Sequence, residues 1–212
     1  MLRMLKYSFC CLLVVLAGIG IWSLLGGRAD SEVFTVVIDP GHGGSDPGAV
    51  WGGEEEKDLN LAVALKVQAL LEEEEDIRVL LTREEDSFVA LYDRAEYSNQ
   101  RNADLFLSIH ANALEQNHDY EGILTFYHKN DRRGRKLAEL VQAEVSAQTG
   151  GTDRGIRDAD YVVLRESDAP SCLLEMGFMT TQSELDRLLD PEYQDSIAAG
   201  IVQGIRAYQN GG

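Results

Sequence analysis

"VFTVVIDPGHGGSDPG", residues 33–48, decides how the rest of the chain is read. Val36, Val37 and Ile38 form a β-favouring run that ends in a dense turn from Asp39 to Gly44. An apolar run without polar alternation, closed by turn residues, reads as a strand buried on both faces. One histidine, His42, stands among the glycines just past the carboxyl end of that strand.

Outward from this stretch, strand and helix patterns alternate. Residues 57–75 carry apolar side chains at 59, 61, 63, 65, 67, 70 and 71, dense enough for a helix lying on a sheet. Segments 77–82, 104–111, 122–128, 161–166 and 171–178 read as strands, and 88–101 and 132–150 as helices, the second stopped by Gly150. Two closing helices are expected over 181–190, capped by Thr181 or Thr180, and over 191–209, with Pro191 in the first turn. The acidic run Glu72–Asp76 reads as a solvated helix end. Such alternation predicts an α/β domain whose sheet is largely parallel and covered by helices on both faces. In that architecture ligands bind beyond the carboxyl ends of the strands.

The chain has 212 residues, a charged content of 26% and a net charge of −17. Arg3, Lys6 and Arg28 are its only charges before Asp30, so 19 less 3 leaves 16 bases against 36 acids, a balance of −20. This excludes nucleic acid as a natural partner, since phosphate binding needs clustered Lys and Arg. The start of the chain is a different material. Behind Arg3 and Lys6, the 21 residues from Tyr7 to Gly27 are uncharged and mostly apolar, long enough to span a bilayer core of roughly 30 Å. "SLLGGRAD" offers no clear cleavage site. The expected organisation is a cytoplasmic stub and membrane anchor (or a cleaved signal segment) over residues 1–32, then one domain over 33–209 held outside the cytoplasm. Secretion is the outcome if the segment is cleaved. Cys10 and Cys11 belong to the apolar segment. Cys172 is the only cysteine beyond it, inside apolar "SCLLEMGF", and reads as a small core residue with no disulfide open to it.

His42 is not the only chemistry-bearing residue at a strand end. His110 closes "LFLSIH", Glu175 lies in the last predicted strand, and Glu56 ends the loop "WGGEEEKDLN" at the head of the first helix. Two imidazoles and two carboxylates thus gather along one edge of one sheet. A lone strand-end histidine is more often structural; two with acids beside them favour a metal. Zinc suits the set, because a catalytic zinc takes three protein ligands, commonly two His and one Glu, and keeps a fourth position for water. The glycines at 41, 43 and 44 let the backbone turn sharply and are expected to leave room for substrate.

"IDPGHGGSDPGA", "EKDLNLAVA", "SIHANA" and "LLEMGFMT", in this order and spacing, resemble the zinc-dependent N-acetylmuramoyl-L-alanine amidases over residues 33 to 209. The resemblance implies a mixed, mostly parallel six-stranded sheet with helices on both faces. It places one zinc ion on His42, Glu56 and His110, and makes Glu175 the residue that activates water. The pattern Glu-Lys-Asp-x-Asn-Leu selects Glu56 over Glu54 and Glu55, which are expected to face solvent. Leu164 and Arg165 fall where the family carries a substrate-side leucine and arginine. Arg83 and Arg94 also fall in familiar places; structural ion pairs are expected of them ahead of a role in organising the site. Asp39 is left between orienting a ligand imidazole and capping the turn. His118 is expected at the surface and His128 outside the site.

The activity implied is hydrolysis of the amide between N-acetylmuramic acid and L-alanine in peptidoglycan. The single domain behind an apolar segment looks most like the spore-cortex amidases, whose role is to strip peptides so that muramic lactam can form; vegetative wall turnover is the alternative. A need for an activating partner protein is left open. Two rivals stand beside this reading, a catalytically silent wall-binding module and a zinc carboxypeptidase of similar architecture.

Overall fold

The structure, a computed structural model, describes residues 33–114, 116 and 118–211. The expected anchor from Tyr7 to Gly27 lies outside the described residues. Among those described, no helix is long and apolar enough to cross a membrane.

The opening stretch forms strand β1 (Phe34–Pro40), buried from Thr35 onward. It pairs in parallel with β4 (Ile77–Leu81) on one side and β5 (Leu105–Asn112) on the other. Beyond β5 the sheet continues with β8 (Ser171–Phe178), parallel to it, then β6 (Ile123–Tyr127), antiparallel to β8, and last β7 (Asp153–Asp158), parallel to β6. The order β4-β1-β5-β8-β6-β7 makes the mixed, mostly parallel six-stranded sheet that was expected.

Alternation along the strands divides the core. Val36 and Ile38 of β1 join the larger cluster, with α1 (Glu56–Leu71), α3 (Arg132–Thr149) and α6 (Pro191–Gln209) laid over it through residues such as Val63, Val141 and Ile201. Val37 and Phe106 point to the opposite face, against Tyr97 of α2 (Leu91–Asn99) and Val163 and Leu164 of α4 (Val162–Arg165). Helix ends follow local chemistry. Gly150 takes a left-handed φ of 64° to end α3. Asp190 accepts a hydrogen bond from the Glu192 amide ahead of Pro191. Thr181 precedes α5 (Gln182–Leu188) without capping it, because its hydroxyl donates to the Tyr120 carbonyl instead.

One expected strand is absent, and a strand and a hairpin stand where none was expected. Residues 161–166 are not a strand: Val162–Arg165 is the single turn α4, whose Val163 and Leu164 bury into the smaller core cluster. A short apolar run cannot by itself distinguish a strand from a buried turn of helix. The sixth strand is β7, whose polar sequence "DRGIRD" carries no apolar signal. As the outer strand it has one neighbour, and its residues are half-buried or exposed. A two-stranded hairpin, β2 (Val50–Trp51) with β3 (Glu54–Glu55), also escaped notice. Its turn is Gly52–Gly53, both at positive φ, as a tight hairpin between right-twisted strands demands.

Candidate metal centre and active site

Three elements bring His42, Glu56 and His110 together. His42 sits in the turn after β1 in a left-handed conformation, φ 60°, that is uncommon for a residue with a side chain. Glu56 opens α1 directly behind the hairpin. His110 lies near the end of β5. The Glu56 carboxylate stands between the imidazoles, Oε2 3.2 Å from His42 Nε2 and Oε1 2.8 Å from His110 Nδ1. One ligand atom from each residue fits within 4.8 Å of the others. Tetrahedral zinc with roughly 2.1 Å bonds sets its ligand atoms about 3.4 Å apart, so the donor set fits that ion.

The surrounding backbone is pressed against these side chains. A Cβ on Gly41 would lie 2.2 Å from His110 Cε1, and one on Gly48, at φ +67°, would lie 2.6 Å from Glu56 Oε2. The room left by the glycines is therefore taken by the ligands themselves. At Gly43 and Gly44 it is taken by the backbone of Ser87 and Phe88. The expectation that these glycines make space for substrate is thereby corrected. Glu56 is fixed in place by the Ala49 amide to Oε2 at 2.9 Å, and by the Ala111 amide and the Asn60 side chain to Oε1 at 3.2 Å each. Glu54 is exposed and Glu55 half-exposed, the latter paired with Lys57 at 3.0 Å. The family pattern had selected the buried acid of the three.

His42 Nδ1 meets Asp46 Oδ2 at 2.9 Å, so Asp46, four residues on, is the acceptor that orients this imidazole. Burial disfavours the charged imidazole, but the hydrogen bonds and charges of Glu56 and Asp46 outweigh it and raise the His42 pKa to about 9. Burial likewise opposes ionisation of Glu56, and hydrogen bonds from His110 and His42 hold it well below the usual carboxylate range. Asp39 does neither of the jobs considered for it. Fully buried, it accepts from the hydroxyls of Thr82 at 2.6 Å and Ser108 at 2.7 Å and pairs with Arg94 at 2.7 Å.

Arg94 is thus an ion-pair residue as expected, and it also donates to the His42 carbonyl at 2.7 Å and the Pro40 carbonyl at 2.8 Å. Arg83 differs. Its guanidinium donates to the carbonyls of Pro40, Gly41, Lys57 and Glu85 at 2.8–3.1 Å. Both arginines serve as backbone clamps for the turn that carries His42.

Glu175 stands opposite His110 in the β5–β8 register. It is buried, and its Oε2 has no hydrogen-bond partner among the described residues. Burial pushes its carboxyl up to about 7; the imidazoles of His110 and His42 oppose this and the charge of Glu56 adds to it. A cleft of about 370 Å³ opens over His42, His110 and Glu175. Phe88, Val89 and Leu91 line one part of it, and Asp160, Tyr161 and Val162 another.

Leu164 and Arg165 are not among the residues that line this cleft, although Asp160, which Arg165 pairs with, is. Leu164 is buried in the smaller core cluster. Arg165 is exposed and pairs with Asp160 at 3.0 Å and Glu166 at 2.9 Å. His118 is exposed, stacked on Trp51, and His128 lies 3.8 Å from Asp160, away from the metal set. Sequence reasoning missed Asp46, Asn60 and Tyr161. The first two were findable, since each follows a ligand by four residues within a turn or helix.

A family profile described as N-acetylmuramoyl-L-alanine amidase matches residues 36–207. The crystal structure of an N-acetylmuramoyl-L-alanine amidase from Clostridium difficile 630 is 41% identical and superposes with a TM-score of 0.83, covering 85% of this chain and 98% of that one. The germination-specific N-acetylmuramoyl-L-alanine amidase of Bacillus subtilis (strain 168) is 34% identical over 203 residues, 88% of this chain and 82% of its own length. The CwlD amidase from Clostridioides difficile, solved in complex with the GerS lipoprotein, is 36% identical at a TM-score of 0.77, over 84% of this chain and 98% of that one. The profile spans most of the chain and these relatives exceed 30% identity over most of their own lengths, so the chain belongs to the N-acetylmuramoyl-L-alanine amidase family.

Proposed function

We propose that this enzyme hydrolyses the amide between the lactyl group of N-acetylmuramic acid and L-alanine in peptidoglycan, with one zinc ion held by His42, Glu56 and His110. The observation that carries the reading is buried Glu175, which lines the same cleft as the two imidazoles and whose Oε2 has no hydrogen-bond partner among the described residues. Zinc at this donor set supplies a Lewis acid and a lowered pKa for water. Glu175 does the proton work. Its carboxylate accepts a proton from the attacking water as the new C–O bond forms, and returns it to the nitrogen as the C–N bond breaks. Burial raises this carboxyl above the ordinary carboxylate range, the direction that makes it a better proton acceptor. The products are a glycan bearing a free lactyl carboxylate and a stem peptide with a free amino-terminal L-alanine.

A role in spore cortex maturation, with muramic lactam as the downstream product, is supported by the matched extent of the germination-specific relative, whose length is covered to 82%. The complex formed by the CwlD amidase supports an accessory protein for this enzyme as well.

Product analysis on purified peptidoglycan tests the function. New amino-terminal L-alanine is expected. Release of a carboxyl-terminal amino acid would make the enzyme a carboxypeptidase, and release of nothing by zinc-loaded protein would leave a binding module. Elemental analysis of the same preparation is expected to find one zinc per chain, with occupancy lost in His42→Ala and in His110→Ala; full retention in both would sink the ligand assignment.

A further inference from the structure

The cleft over the metal set is small and its charge is one-sided. At about 370 Å³ it lies near the low end of ligand sites, which run from ~300 to ~1,000 Å³. That is room for one sugar ring and the bond to be cut. Charge decides which part of the substrate enters. Apart from the two histidines, the only cationic side chain among the described lining residues is Arg94. Its guanidinium is already committed to Asp39 and to the carbonyls of Val89, Pro40 and His42. Asp46 and Asp160 add carboxylates that are 44% and 68% exposed. Arg165, beside the cleft, is already paired with Asp160, so stem-peptide carboxylates would meet no uncommitted Lys or Arg among the described lining residues. A neutral sugar ring meets no such penalty, and its hydroxyl and acetamido N–H groups can donate to those acids.

Two aromatic side chains in the lining remain open. Tyr161 is 41% exposed and Phe88 57%. The Tyr161 ring is held edge-on against Phe126, centroids 5.3 Å apart, and its carbonyl accepts the Leu164 and Arg165 amides that start α4. Its position is therefore set before substrate arrives. Burial and, after it, the charge of Glu175 raise the phenol pKa, which places Tyr161 within the field of the general base. An open aromatic face in a partly apolar cleft suits a flat apolar partner, and the C–H face of a pyranose is one.

We propose that Tyr161 and Phe88 hold the N-acetylmuramoyl sugar ring, so that the enzyme selects its substrate by the glycan more than by the peptide. This rests on the amidase reading above. The test compares kcat/KM of the zinc-loaded full-length protein on N-acetylmuramoyl-L-alanyl-D-isoglutamine and on glycan-free N-lactoyl-L-alanyl-D-isoglutamine. A preference of at least about tenfold for the sugar-bearing substrate is expected, falling roughly tenfold in Tyr161→Ala and in Phe88→Ala through a higher KM. Tyr92→Ala removes an aromatic of α2 that is 61% exposed and outside the cleft lining, and is expected to keep the preference. Thermal melts check folding, and Phe88→Ala carries the test alone if Tyr161→Ala does not fold. A preference unchanged in the folded variants, or a wild type indifferent to the sugar, overturns this proposal alone. Cleavage of neither substrate by the wild type overturns it together with the amidase reading.

Discussion

Glu175 is where stability and catalysis make opposite demands. A carboxylate between Leu174 and Met176, with one oxygen unpartnered, costs free energy to keep ionised. Burial raises its pKa from 4.5 to about 7. Between those values the folded metal-free protein binds the proton more tightly than the unfolded chain does. Stability of that form therefore falls as pH rises from 4.5 through 7 and stays lower above. Glu175→Gln has nearly the same shape and no such titration. In chelator, its advantage over the wild type is expected to grow by about 1–3 kcal/mol between pH 4.5 and pH 8, read from denaturant midpoints. The same variant, zinc-loaded, is expected to keep its metal and lose about two to four orders of magnitude in peptide release, since amide nitrogen cannot accept the proton. Near-normal release would remove Glu175 from the mechanism, and lost zinc would make it a ligand.

At the scale of elements, the turn after β1 is the part most heavily held. His42 is kept in its left-handed conformation by Arg94 on its carbonyl and by Asp46 on its ring. Arg94 in turn neutralises the fully buried Asp39. Removing one partner of a buried pair strands the other. Arg94→Gln is expected to destabilise by about 3–5 kcal/mol, and Asp39→Asn in the same chain to recover a large part of that loss. A denaturant double-mutant cycle checks this; additive losses would show that the pair is not coupled. The sequence made the ligands legible because each lies where a strand or helix meets a loop, in a pattern of unusual composition. It also carried β1, β5 and β8 plainly, because strands buried on both faces must be apolar. β7 stayed hidden because an outer strand needs backbone partners and no apolar stripe. α4 was misread because its Val-Val-Leu run meets burial demands that a strand and a turn of helix share. The clamps of Arg83 and Arg94 were hidden for a different reason. Their partners are backbone carbonyls, and a carbonyl carries no residue identity for a sequence to display.

For the whole molecule, charge and length bear on where the enzyme works. Beyond Arg28 the chain holds 16 bases and 36 acids. Such a domain is repelled by anionic lipid headgroups within a Debye length, about 8 Å at physiological salt. Affinity of the catalytic domain for the bilayer does not then hold it at the membrane, and the uncharged run Tyr7–Gly27 is the segment of this chain suited to do so. We propose that this segment tethers the enzyme with residues 33–209 on the side of the membrane where peptidoglycan lies. Two basic residues ahead of the run, Arg3 and Lys6, favour that orientation. The full chain is expected to stay with membranes through a high-salt wash and an alkaline wash, because burial of apolar side chains is insensitive to both. Protease added outside intact protoplasts is expected to degrade the catalytic domain. Amino-terminal sequencing of the mature protein separates the two fates of the segment. A start near Asp30 means a cleaved signal and a free enzyme, whereas a start at Met1 means a tether. Release of the full-length chain by salt alone would show that the attachment is electrostatic, against the charge balance, and would sink the tether.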